Sequence, residues 1–579
     1  MTRRVAAAAL FLAITAPCAV AAQQAAEPWS ALARPSTRQP TPTTPAITAE
    51  DLQSRIYGFA ADSMQGRLMG TPGNAMGAEH IAAELRRLGL EPAGENGTFF
   101  QTLPWMDRAL DETVTIRAGG RTFRAWTDFV PRDQGMGERS IDGVPVVYGG
   151  DFADSAARLA PAQAAGKLVI VTFSGDVPGN PPRTPNRNLV NAWYAGAAGI
   201  AVVAREEFPE ATVEGYRQPS NVLLGGDVQP APAYLYVTRA MAEALLGRPL
   251  AGATPGTAGT AVSGSARWVN APSKVPARNV VAILRGSDPR LRNTYVAIGA
   301  HNDHVGVGQP VAHDSVYIVN HLFRLQGADA GDPEVTGERV AQVNAALAEI
   351  RRRTNGASAR LDSVYNGADD DGSGSMGVLE IAEYLAGRPE RPKRSILFIW
   401  HVGEELGLFG SGYFTDHPTV PRDSIVAELN VDMIGRGTAD DITGVTLDGA
   451  PIHGGPDYLQ VIGSRRLSTQ LGDWTELENR EGRHGLVFDY ALDANGHPQN
   501  IYCRSDHYMY ARYGIPIAFF TTGGHADYHQ VTDEPQFLDY PHYARVTRFI
   551  AALGLRVANA EVRPAVDQPR PDPRGRCRQ

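Results

Sequence analysis

Residues 295–304 read YVAIGAHNDH, an apolar run with no solvated face that ends abruptly in His301, Asn302, Asp303 and His304. A short continuous apolar run suits a strand buried on both sides, the kind that builds parallel sheets. Three further runs share the pattern: SILFIW at 395–400, IVAELNV at 425–431 and IPIAFFT at 515–521. Helical segments such as 376–385 lie between them, so from about residue 278 the sequence predicts an α/β fold, a mostly parallel mixed sheet covered by helices. Ligands in such sheets bind beyond the carboxyl ends of the strands. His401, Glu404 and Glu405 follow the second run, Asp432 closes the third, and His525 and His529 follow the fourth. An acidic loop, NGADDDGSGS at 366–375, leads into a helix.

Imidazole and carboxylate donors without thiolate suit divalent zinc. They are too many for one tetrahedral ion with an open position, and two ions sharing a carboxylate use them better. Plainer readings exist for each feature. An acidic loop is commonly a solvated turn. Asp369, Asp371, Ser373, Gly374 and Glu380 also have the spacing of a calcium loop. However, Tyr365-Asn366-Gly367 reads as a turn where that motif needs a helix, and no second such loop follows. His401 with Glu404 and Glu405 lacks the second histidine of helical zinc motifs, and reads as a packing or hydrogen-bonding residue. His304, His313 and His321 read as structural or exposed, and His525 competes with His529 as a ligand. No G-x-S-x-G elbow follows a strand, which excludes that serine-hydrolase class.

The remainder of the 579 residues divides by texture. Residues 1–22 have two arginines, an apolar stretch and small residues, the pattern of a signal peptide that would remove Cys18. Residues 23–46 read as a flexible linker, and a helix is expected from Thr48, a capping residue. Residues 47–134 precede a β-rich segment, 135–265, which has its own apolar runs and no clustered metal donors. Residues 270–560 hold the sheet motifs, interrupted by the long insertion 302–369, and the Pro/Arg-rich 561–579 is expected to be disordered. Cys503 and Cys577 are able to form one disulfide. The net charge of −9 argues against nucleic-acid binding. No run after the leader reaches the length of a membrane span. An exported protein, secreted or periplasmic, is expected, with its oligomeric state open.

The motifs GAHNDH, NGADDDGSGS, HVGEELGLFGS, NVDMIGR and HADYHQVTDEP, in that order from 278 to 550, resemble the M28 family of zinc peptidases, the aminopeptidase and glutamate-carboxypeptidase-like group. The segment from Asp62 to Gly94 is similar to that family's N-terminal region, and 135–265 to its inserted protease-associated domain. The resemblance implies a zinc-exopeptidase fold of the phosphorylase/hydrolase-like type. It implies two zinc ions, one on His301 and Asp432, the other on Glu405 and His529, bridged by Asp370. Glu404 would be the general base, Tyr528 a donor to the reaction intermediate, and Asp303 an orienting partner of His301. The implied activity is peptide hydrolysis, foremost as an aminopeptidase on peptide or protein substrates. The alternatives are carboxypeptidase or glutaminyl-cyclase-like chemistry, or a non-catalytic receptor of the same fold.

Overall fold

A computed structural model describes residues 29–135, 137–175, 184–225, 230–264, 266–327, 330–353 and 360–579. The signal-peptide expectation and Cys18 lie outside the described residues. The central sheet has nine strands: β1 (Glu91–Pro92), β2 (Phe100–Thr102), β3 (Arg278–Leu284), β4 (Tyr295–His301), β5 (Ser395–His401), β6 (Ile425–Val431), β7 (Tyr458–Ile462), β8 (Val487–Asp489) and β9 (Ile517–Thr521). Their order is β1-β3-β5-β4-β6-β9-β7-β8, with β2 also on β3. Strands β5, β4, β6 and β9 run parallel to one another, with His301 opposite His401. Flanking β3 and β7 are antiparallel to their inner neighbours. All residues of β4, β5 and β6 are buried, as the uninterrupted apolar runs require.

Strand alternation sends the two faces into separate cores. Val296, Ile298 and Ala300 pack with Ile396, Phe398 and Trp400 against helices α1 (Ala49–Phe59), α2 (Pro72–Arg87), α4 (Gly372–Ala386) and α6 (Tyr540–Asn559). Tyr295, Ala297, Leu397 and Ile399 face Phe414 and the short helix α5 (His507–Ala511). As expected, Thr48 caps α1, accepting from the Asp51 amide at 3.0 Å.

Between β2 and β3 the chain builds a second, five-stranded sheet with its own apolar core, reaching from Leu110 to Val262. Its edge strand Phe129–Arg132 pairs with Ala233–Val237, so this unit starts ahead of residue 135. A run of four residues is too short to read as a strand without its partner.

Two compositional expectations are corrected. Residues 29–46 are not a loose linker: Thr43 donates to Glu383 at 2.6 Å, and Thr44 to Asp51 at 2.7 Å. Nor is 561–579 a free tail. Arg563 donates to the Ile425 carbonyl at 3.0 Å, Asp567 accepts from the Thr469 amide at 3.0 Å, and Cys577 is disulfide-bonded to Cys503. Proline-rich composition predicts disorder only when the chain finds no distant partners, and here it does. No described helix is long and apolar enough to cross a membrane.

Candidate metal centre

Because β4, β5, β6 and β9 are parallel, their carboxyl ends deliver side chains to one place. His301 ends β4, Glu404 and Glu405 follow β5, Asp432 follows β6, and the loop after β9 brings Tyr528 and His529. The acidic loop enters from beside them. Asp370 is the hub: its Oδ1 lies 3.2 Å from His301 Nε2, and its Oδ2 lies 3.1 Å from His529 Nε2. His301 Nε2 is also 3.6 Å from Asp432 Oδ1, and His529 Nε2 is 2.9 Å from Glu405 Oε2. Each Asp370 oxygen thus faces a different donor group.

The loop is fixed by backbone hydrogen bonds rather than by its own charges. Asp533 accepts from the amides of Asp369 and Asp370 at 3.1 Å. Asp371 is spent on structure: it caps α4 through the Gly374 amide at 2.8 Å, and also accepts from Met433 and His301 amides at 3.1 and 3.0 Å. Beneath the loop, fully buried Arg67 donates to the carbonyls of Asn366 and Gly367 at 2.7 and 2.8 Å. Asp369, which a solvated turn would expose, is fully buried and accepts from the Gly435 amide at 2.7 Å. Glu380, the twelfth position of the calcium-loop spacing, pairs instead with Arg55 of α1 at 2.6 Å.

The donor set fits a bound cation. Asp370 Oδ2, Glu405 Oε1, His304 Nδ1 and His529 Nε2 are buried without a hydrogen bond of acceptable geometry, although they crowd together. Converging buried lone pairs are costly unless an ion shares them. Burial would raise the Asp370 carboxyl, but His301, His529 and His304 hold it well below the usual carboxylate range. Burial and the neighbouring Asp432, Glu405 and Asp506 push the Glu404 carboxyl well above its usual range, against the opposing pull of His301.

The competition between two histidines has a geometric outcome. His529 joins Asp370 and Glu405, whereas His525 turns back to Asp369 at 3.3 Å. His401 hydrogen-bonds Tyr510 Oη at 3.0 Å and lies 3.3 Å from Asp506, away from the cluster. Asp303 meets His301 chiefly through its backbone: Nδ1 donates to the Asp303 carbonyl at 3.2 Å, while the carboxylate stands 3.8 Å off and accepts from the Glu404 amide at 3.3 Å. His304, which the sequence left as structural or exposed, is a neighbour of the cluster. It is fully buried, with Nδ1 2.7 Å from Glu405 Oε1.

A cleft opens over the cluster. Its lining includes Asp370, Glu404, Asp432 and Tyr528 together with the apolar Met433, Leu492, Ile501 and Phe519. Tyr528 stacks on His529 with ring centroids 3.9 Å apart. Burial and the nearby Asp370, Glu405 and Glu404 push its phenol well above the usual value, so it keeps its proton. The insertion 302–369 braces this loop from outside. From helix α3 (His313–Phe323) and the residue after it, His321 meets Asp527 at 3.0 Å and Arg324 donates to the Tyr528 carbonyl at 3.0 Å. His313 meets Glu534 at 2.7 Å.

Residues 353–554 match the sequence profile of peptidase family M28. The match covers about a third of the chain. Over 207 residues the chain is 30% identical to leucine aminopeptidase 1 of Coccidioides posadasii, covering 34% of this chain and 48% of that protein. Over 82 residues it is 43% identical to leupeptin-inactivating enzyme 1 of Streptomyces exfoliatus, covering 14% and 19%. The chain therefore spans about half, or less, of the curated relatives it matches. The solved zinc aminopeptidase of Bacillus subtilis aligns over 90% of this chain and 98% of its own, at 16% identity and a TM-score of 0.44.

Proposed function

We propose that this protein is an exported dizinc aminopeptidase. The observation that carries the reading is the placement of Asp370, whose two oxygens face His301 with Asp432 on one side and His529 with Glu405 on the other. Those five residues would hold the two ions, their three carboxylates offsetting most of the added charge. Zinc bound there would lower the pKa of water and polarise a scissile carbonyl. Glu404 lines the same cleft as Asp370 and Asp432, and as general base would take the proton from water and return it to the departing amine. Tyr528, protonated and at the cleft wall, donates to the developing oxyanion.

The carboxylates in the cleft lining suit a substrate's free ammonium group, and its apolar residues suit a hydrophobic first side chain. The name of the Coccidioides relative, a leucine aminopeptidase, supports the same preference. Export is supported by the Cys503–Cys577 disulfide, a bond that persists in oxidising compartments.

The test uses the purified chain with aminoacyl and N-blocked peptides. Release of N-terminal residues, lost to a chelator and restored by zinc, is the expected outcome. Glu404→Gln should retain its metal and lose activity by ~10²–10⁴-fold. Turnover confined to N-blocked peptides, or undiminished in the Gln variant, defeats the reading.

A further inference from the structure

The five residues above leave the two ions with equal protein ligation, but the structure does not treat the two sides equally. We infer that His304 Nδ1 is a fourth protein ligand to the ion shared by Asp370, Glu405 and His529, so that this ion sits in a complete donor set while the His301–Asp432 ion alone keeps an open position. The inference rests on the dizinc reading.

Zinc bonds of about 2.0–2.1 Å put tetrahedral donors about 3.3 Å apart. On the His529 side, the measured separations straddle that value. His304 Nδ1 lies 2.7 Å from Glu405 Oε1 and 3.7 Å from Asp370 Oδ2. His529 Nε2 lies 2.9 Å from Glu405 Oε2 and 3.1 Å from Asp370 Oδ2. The two imidazoles meet edge to face at 73°, with centroids 5.5 Å apart. The alternative is that His304 sits outside the coordination shell and hydrogen-bonds Glu405. That contact is short enough, but neither His304 Nδ1 nor Glu405 Oε1 has a hydrogen-bond partner of acceptable geometry. The in-plane direction of Nδ1 therefore does not point at Oε1, and both atoms are left for an ion that sits to one side of the line joining them.

The backbone explains how His304 gets there. Strand β4 stops at His301, and the His304 amide donates to the Arg67 carbonyl at 3.2 Å, which turns the chain beneath the acidic loop. The ring then lies flush on Gly367, where a Cβ would stand 2.5 Å from His304 Cγ. Coordination through Nδ1 places the ring's hydrogen on Nε2.

On the other side, the group among the described residues has one further member beside His301 and Asp432. Asp371 groups with His301 and Asp432, but its two oxygens are already taken by the amides of Gly374, Met433 and His301. A closed set is the habit of structural zinc, and an open one that of catalytic zinc. The two ions would accordingly differ in role and in exchange rate.

The test is ion affinity in competition with a chelator, measured on wild type and His304→Gln. The expected result is two ions in wild type, with one weakened by more than ~100-fold in the variant and the other unchanged. That exceeds the ~10–100-fold cost of losing an outer partner. A smaller loss, or none, overturns the assignment while leaving the dizinc reading standing. Failure of wild type to bind a second ion overturns both. Should His304→Gln not fold, proton NMR of the cobalt-substituted wild type decides. A paramagnetically shifted imidazole N–H from His304, beside those of His301 and His529, supports the ligand; its absence refutes it.

Discussion

The two halves of the metal centre are built by different means. His301, Asp432 and the Glu404–Glu405 pair stand at or just after the ends of β4, β6 and β5, strands that are buried throughout. His529 and Tyr528 stand on a loop, held by Arg324, His321 and His313 of the insertion and by Arg436, whose guanidinium meets Asp527 at 2.8 Å. The first half inherits its geometry from the sheet. The second depends on ion pairs and carbonyl contacts, which makes it the part that single substitutions and pH can loosen.

Asp370 belongs to both halves, so its loss should have the largest effect. Asp370→Ala is expected to bind neither ion tightly and to fall to background turnover; metal analysis after dialysis checks this. Breaking the brace should act on one half alone. The double variant His321→Ala, Arg324→Ala is expected to lose affinity for the ion on the His529 side by ~10–100-fold, the usual cost of removing an outer partner. The other ion should remain. Equal weakening of both ions would erase the distinction drawn between the halves.

A pH effect of smaller size follows from His313. Burial would lower its pKa, but Asp314 and Glu534 outweigh burial and push it up to about 9. A raised pKa means that the protonated pair stabilises fully below the unfolded value of ~6.5, and that this contribution is lost as pH rises through about 9. The melting temperature of wild type should therefore drop between pH 7 and 10 by more than that of His313→Gln, for a difference on the order of 2 kcal/mol. Parallel profiles for the two proteins would remove this ion pair from the brace. The smallest effect on catalysis is expected from Cys577→Ser. It should cost ~2–4 kcal/mol of stability, read from denaturant midpoints, with the metal content unchanged.

Much of the sheet-borne half was legible in the sequence, because a parallel strand announces itself as an apolar run and its end as the first polar residue. The loop-borne half was harder to read. His525 and His529 look alike in sequence, and only the turn between them, where the Tyr528 amide bonds the His525 carbonyl at 3.1 Å, sends them in opposite directions. His304 was hidden by the same strand logic that found His301. Alternation ceases where the strand stops, so a residue three positions on has no assigned face. Asp369 was misread because acidity suggests exposure, whereas its partners Ser373 and Gly435 come from a helix start and a distant loop. The packed segments 29–46 and 561–579 share that difficulty: their anchors lie far along the chain.

Arg67 has a practical consequence for anyone wishing to cut this protein into parts. It lies far upstream of the family-matched region 353–554, yet its guanidinium supports the carbonyls on which the acidic loop rests. Strand β4 and His301 also fall outside that region. A fragment expressed from the matched boundaries would lack a central strand, both His301 and His304, and the cation under the loop. The unit that can be transplanted, trimmed or recombined is therefore set by who supports the loop, and it reaches back to the first helices of the chain.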